Sequence, residues 1–148
     1  MKFWDSSAIV PLLAEEASTS SALGFYRDDP LLFAWWGTDV ECVSALARLE
    51  RRRAIPSAGM AEAIARLRAL KSSWQEVQPG EAVRETAIRL LRVHDLRATD
   101  SLQLAAAIIA SGHRPASLEF VCLDERLIGA ARREGFAVLT PRRKVGSE

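Results

Sequence analysis

Four carboxylates, Asp5, Glu41, Asp100 and Asp124, stand where a soluble chain rarely puts acids, each at the end of an apolar strand or in the opening turn of an apolar helix. Unpaired carboxylates gathered in a cleft repel one another, so protons or a hard cation must neutralise them. Such a group points to metal-assisted chemistry on a phosphate. Each acid also has a plainer reading. Acids complement the helix macrodipole at an N-terminus by roughly 0.3–1 kcal/mol, and Asp5 and Asp124 suit N-caps. Caps need no particular partners, however, and here all four acids fall on element ends that a parallel sheet brings to one rim.

The elements that must position them alternate short apolar runs with longer segments of helical period, the pattern of a parallel sheet covered by helices. Residues 1–4 read as a first strand. Asp5-Ser6-Ser7 opens a helix from Ala8 to Glu16, which Pro11 bends or delays. A second helix spans Thr19 to Arg27. Residues 31–36 read as a buried strand, and Gly37-Thr38-Asp39 opens a helix to about Arg53. Pro56-Ser57 opens another, Ala58 to Ser72, before an extended piece from Trp74 to Val77. Glu81 to Val93 is an amphipathic helix. Thr99 is placed to cap a helix from Asp100 to Ala110 whose run from Leu104 onward is apolar nearly all round, so that helix must be central. A strand at 118–123, a helix at 125–134 closed by Gly135 and a strand at 136–139 complete the chain. The fold class expected is α/β, a three-layer α/β/α sandwich with a mostly parallel sheet of about five short strands. One domain covers 1–141, and 142–148 form a flexible basic tail.

The 148 residues suffice for a single domain that buries about 70% of its extended-chain surface. The apolar fraction of 49% and charged fraction of 26% are ordinary for a globular protein. No run approaches the roughly 20 apolar residues of a membrane span, and the start does not read as a signal peptide, so a cytoplasmic protein without a membrane partner is expected. Cys42 and Cys122 sit in apolar surroundings and read as small buried hydrophobes. The net charge is +1. With the four acids set aside as metal-neutralised, 20 basic residues face 15 acidic ones, and 17 of the 20 are arginines, whose fork matches phosphate oxygens. That balance is modestly suited to a polyanion, although a bias toward Arg codons explains it equally well.

The segments 3–10 (Phe-Trp-Asp-Ser-Ser-Ala-Ile-Val), 38–48 (Thr-Asp-Val-Glu-Cys-Val-Ser-Ala-Leu-Ala-Arg), 96–105 (Leu-Arg-Ala-Thr-Asp-Ser-Leu-Gln-Leu-Ala) and 120–127 (Phe-Val-Cys-Leu-Asp-Glu-Arg-Leu) resemble, in order and spacing, the signature blocks of PIN-domain ribonucleases. The nearest resemblance is to the VapC toxins of bacterial toxin–antitoxin pairs. It implies that Asp5 and Asp100 hold Mg²⁺, or Mn²⁺ in its place, and that Glu41 and Asp124 support it directly, through water or on a second ion. Ser6 matches the small polar residue that orients the first aspartate or a water. The chain departs from the family in carrying Thr99 and Ser101 around Asp100, and Gln103 where histidine is frequent. The activity implied is metal-dependent hydrolysis of RNA to 5′-phosphate and 3′-hydroxyl ends. The partners implied are the RNA, a homodimer mate, with Leu67, Leu70 and Trp74 as a candidate face, and a small VapB-like antitoxin whose C-terminal segment covers the crevice. Arg48, two turns beyond Glu41 on nearly the same helix face, and Arg97 are candidates for substrate phosphate or a partner's carboxylate, against the plainer reading of solvated arginines. Arg51 to Arg53 and the tail basics read as solvated charge.

Other chemistries fit less well. No Gly-x-Ser-x-Gly elbow and no Walker loop occur. The phosphatase pattern of a second aspartate two residues after the first meets Ser7 instead. His94, at a helix end, reads as a partner of the dipole. The rival reading is a catalytically silent PIN-like module that binds RNA or protein.

Overall fold

The computed structural model describes residues 1–145, and residues 146–148 of the expected tail lie outside them. Five strands, β1 (Lys2–Trp4), β2 (Leu32–Trp35), β3 (Gln75–Val77), β4 (Glu119–Val121) and β5 (Val138–Leu139), form one sheet in the order β3-β2-β1-β4-β5. Every pairing is parallel, with Lys2 opposite both Leu32 and Glu119 and Trp4 opposite Val121. The sheet is therefore wholly parallel, where the sequence led us to expect mostly so.

Alternation along the strands divides the interior into two layers. Phe3, Phe120 and Cys122 pack on one face against α5 (Glu81–Val93), α6 (Ala98–Ala110) and α7 (Glu125–Arg133), with the Phe3 and Phe120 rings stacked at 5.5 Å. Trp4, Leu32, Ala34 and Val121 pack on the other against α1 (Ser6–Leu13), α2 (Thr19–Asp28), α3 (Thr38–Arg51) and α4 (Ser57–Lys71). This is the expected three-layer sandwich. The all-round apolar α6 is buried from Leu104 to Ile108, as its composition requires, and Gly135, at φ 105°, ends α7 as only glycine does readily.

Several expectations need correction. α1 starts at Ser6 and stops at Leu13, because the Asp5 side chain caps it directly and Pro11, already in its last turn, removes a donor. α6 begins at Ala98, so Thr99 lies inside its first turn and Arg97 holds the cap position. Leu31 and Trp36, expected in a buried strand, lie beyond β2 and are about half exposed. Leu67 and Trp74, expected on a dimer face, are buried in the core beneath α4. Beyond β5 the chain passes the start of α2 and the turn before it: Arg142 N donates to Ser21 Oγ and Lys144 N to Ala17 O, each at 2.8 Å.

Gly37 precedes α3, and a Cβ there would meet Trp35 Nε1 at 2.7 Å. The indole is only 7% exposed and has little room to move. We expect Gly37→Ala to cost about 1–3 kcal/mol, read as a fall in Tm at neutral pH.

Candidate functional site

The chain leaves β1 toward β2 on one side and returns to β4 on the other, so the crevice between the carboxyl ends of β1 and β4 is the topological switch point of the sheet. A cleft of about 490 Å³ opens there, and Asp5, Glu41, Asp100 and Asp124 all line it. Residues far apart in the sequence thus meet through two strand ends and two helix starts.

Asp5 follows β1, its backbone N bonded to Val121 O of the neighbouring strand at 3.0 Å. Its Oδ2 accepts from Ser7 N at 3.1 Å and from Ser7 Oγ at 2.5 Å, and the Cys122 thiol lies 3.6 Å away. All of these contacts fall on one oxygen. Burial pushes the Asp5 carboxyl up to about 6, the two Ser7 bonds hold it back, and the charges of Asp124 and Asp100 raise it further.

Glu41 lies in the first turn of α3. Ser6 Oγ donates to its Oε1 at 3.3 Å, and Gln103 Nε2, reaching across from α6, donates to its Oε2 at 3.0 Å. Burial, followed by the charge of Asp5, pushes Glu41 up to about 7 against the opposing Gln103 and Ser6 bonds. Asp100 accepts from Arg97 N through Oδ2 at 3.3 Å; burial and the charge of Asp124 raise it, while that bond and the guanidinium groups of Arg97 and Arg126 pull it down. Asp124 caps α7 through Oδ1, which accepts from Leu127 N at 3.1 Å. Asp5 and Asp124 are thus helix caps that also line the cleft. One oxygen serves the helix, and the other is left to the cleft.

No family model matches the chain, and no curated protein sequence does. Among solved structures, a toxin–antitoxin complex from Klebsiella pneumoniae is similar over 97% of this chain and 100% of its own, with 17% identity and a TM-score of 0.65. FitAcB from Neisseria gonorrhoeae is similar over 95% and 98%, with 16% identity and a TM-score of 0.66. VapC20 from Mycobacterium tuberculosis, described as a sarcin–ricin loop cleaving toxin, is similar over 92% and 96%, with 19% identity and a TM-score of 0.66. The chain has the PIN fold.

The seven residues that the sequence offered for the site, namely the four acids, Ser6, Arg48 and Arg97, all line this cleft. Of the two roles expected of Ser6, orienting the first aspartate falls to Ser7 instead, while Ser6 donates to Glu41. Ser7 Oγ also accepts from Leu123 N at 2.9 Å, tying the loop that carries Asp124 to the first aspartate. Arg126 lines the cleft as well and went unremarked in the sequence. His94 lies outside the cleft lining; it ends α5 and bonds through Nε2 to Glu134 Oε2 at 2.7 Å. Both cysteines are free and buried, and burial holds both thiols well above their ordinary range.

The donor set fits a hard cation. Asp5 and Asp100 each keep an oxygen free of intramolecular bonds, and none of the four acids has a salt bridge among the described residues. Among those residues no group of three or more His, Cys, Asp or Glu side chains is gathered closely enough to hold a metal ion. Mg²⁺ does not require one, since it keeps several waters and takes one or two carboxylates.

Gln103 is 1% exposed and donates to Thr38 Oγ1, at 3.0 Å, as well as to Glu41. It thereby fixes α6 against the start of α3. We expect Gln103→Ala to cost about 1–3 kcal/mol through the unpaired groups it leaves, and Gln103→Glu, which places a second acid against Glu41, to lower Tm further as pH rises from 5 to 8.

Proposed function

We propose that the protein is a Mg²⁺-dependent endoribonuclease, with Mn²⁺ as a substitute ion, and the toxin of a toxin–antitoxin pair. The observation that carries this reading is the meeting of four carboxylates from four separate elements on one cleft, none of them in a salt bridge among the described residues. The likeness to VapC20 and to toxin–antitoxin complexes supports the toxin part. No helix among the described residues is long and apolar enough to cross a membrane, which fits a cytoplasmic site of action.

The free oxygens of Asp5 and Asp100 would hold the ion, with Glu41 and Asp124 supporting directly or through water. When bound, a divalent cation supplies the charge that activates an attacking water and offsets the phosphoryl transition state. Ser7 fixes the rotamer of Asp5, and Ser6 and Gln103 fix that of Glu41, so the acids present one arrangement to substrate. A small VapB-like antitoxin would cover the same cleft with a C-terminal segment whose arginine pairs with these acids, and the toxin would act as a homodimer.

Purified protein, free of antitoxin, should cleave RNA with Mg²⁺, stop on addition of EDTA, and lose the activity in Asp100→Asn. Full activity in Asp100→Asn would overturn the ligand assignment. RNA left intact by the unaltered protein would favour the silent binding module.

A further inference from the structure

Glu134 is an acid at the C-terminus of α7, where the helix macrodipole disfavours negative charge, so the helix itself gives no reason for it. Its two oxygens are taken by one residue within α5 and one at its end. Arg89 Nη2 donates to Oε1 at 2.8 Å, and His94 Nε2 lies 2.7 Å from Oε2. The Arg89 bond holds the Glu134 carboxyl below its ordinary range against the opposing effect of burial, and the His94 bond adds to it. An ionised carboxylate only accepts, so Nε2 carries the ring proton. The His94 side chain is buried, and the nuclease chemistry of the cleft makes no use of it.

This contact holds the connection from α5 to α6. Asp95, Arg97, Ala98 and Thr99 are exposed, and Leu96 alone of them packs against the core. Among the described residues, the His94–Glu134 contact is the single side-chain bond that ties residues 94–99 to any element other than the α6 they lead into. The backbone is extended at His94 and again at Arg97, whose N–H donates to Asp100 Oδ2, so a shift of the connection passes directly to Asp100. Glu134 closes α7, the helix that Asp124 opens. One bond therefore joins the stretch that delivers the third acid to the helix that starts from the fourth.

We propose that His94 is a positioning residue that, anchored on Glu134, fixes Asp100 against Asp124 from outside the cleft. This rests on the reading of the four acids as the seat of a divalent cation, and adds what sets the spacing of two of them. Residues that hold ligands in place govern cation affinity much as the ligands do. Arg89 bonds Glu134 and not the connection, so it contributes to stability and leaves the spacing alone.

The test pairs Mn²⁺ affinity, read from the loss of the free-ion EPR signal, with amide hydrogen exchange of the metal-free protein. It compares the unaltered protein with His94→Ala, His94→Gln, Glu134→Ala and Arg89→Ala. His94→Ala and Glu134→Ala should each weaken Mn²⁺ binding about tenfold. Each should also speed exchange about tenfold at the Ser101 amide, which donates to Arg97 O. The two together should do no more than either alone. His94→Gln keeps a donor for Glu134 and should recover most of both losses. Arg89→Ala should lower Tm with Mn²⁺ affinity unchanged. Glu134→Ala breaks the bond without emptying the His94 site, so it decides the matter if His94→Ala does not fold. Unaltered affinity and exchange in Glu134→Ala would overturn the positioning role. So would an equal loss of affinity in Arg89→Ala, since the effect would then be one of general stability. Faster exchange in Glu134→Ala of a protein that binds no Mn²⁺ would retain the positioning role and sink the cation reading. Mn²⁺ binding lost in Asp100→Asn but untouched in Glu134→Ala would do the reverse.

Discussion

Asp5→Asn should slow RNA hydrolysis severely and, in the metal-free protein at pH 8, raise stability. The two effects share one cause. A carboxyl ordinarily near 3.8 is held at about 6 here, chiefly because it is buried, and the charges of Asp124 and Asp100 add to the penalty. Because the folded value is raised, the stability that Asp5 contributes is fully present below about pH 3.8 and is lost as pH rises through about 6. The loss levels off at about 3 kcal/mol, an upper figure taken from 1.36 kcal/mol per pH unit. Asparagine carries no charge to bury and still offers an oxygen to Ser7 N, so the cap of α1 survives. Melting curves in EDTA should show the variant and the unaltered protein converging near pH 4 and separating by roughly 6–12 °C at pH 8. Mg²⁺ should narrow the gap by stabilising only the unaltered protein, as a ligand of the folded state does. Activity should fall by about 10³-fold, the scale on which a single electrostatic contact to a transition state is felt. Equal melting temperatures at pH 8 would mean that Asp5 is not desolvated as the structure has it.

The acids were legible because each sits at a change of pattern: Asp5 and Asp124 after apolar runs, Glu41 and Asp100 as helices open. The parallel-sheet rule then places such positions at one rim. Element types were legible for the same reason, and α6 most of all, since seven consecutive apolar or small residues leave no solvent face. What the sequence hid depends on contacts between distant residues. Gln103 and Glu41 are 62 positions apart, and nothing in either segment announces their bond. His94 looks like a helix-end residue and is one, but its bond to Glu134, 40 positions on, could not be read. Leu67 and Trp74 were misplaced because α4 carries alanine and arginine on much of its surface, so its apolar stripe is weak and its buried side does not stand out.

Ser6 and Ser7 show the same limit at the shortest range. Adjacent residues at the start of a helix point about 100° apart, and the sequence cannot say which hydroxyl turns toward Asp5. The structure gives that contact to Ser7, whose hydroxyl donates to Asp5 Oδ2 and accepts from Leu123 N. One oxygen thus joins the end of β1 to the loop after β4, and with it the first and fourth acids. Ser7→Ala removes both bonds. The Asp5 carboxyl loses the contact that most lowers it, so its ionisation should move to higher pH. If ionised Asp5 is the form that holds the ion, the rising limb of the pH–activity profile moves the same way. Activity at pH 7 should drop about 10–100-fold, in line with the loss seen when a residue supporting a metal ligand is removed, and recover in part near pH 9. Freeing Leu123 N should also cost about 1–3 kcal/mol if water does not replace the hydroxyl. Ser6→Ala is the matched control: it leaves the Asp5 bonds intact, so its profile should keep the Asp5 limb in place and lose rate through Glu41 alone. Superimposable profiles for Ser7→Ala and the unaltered protein would show that Asp5 needs no such orientation.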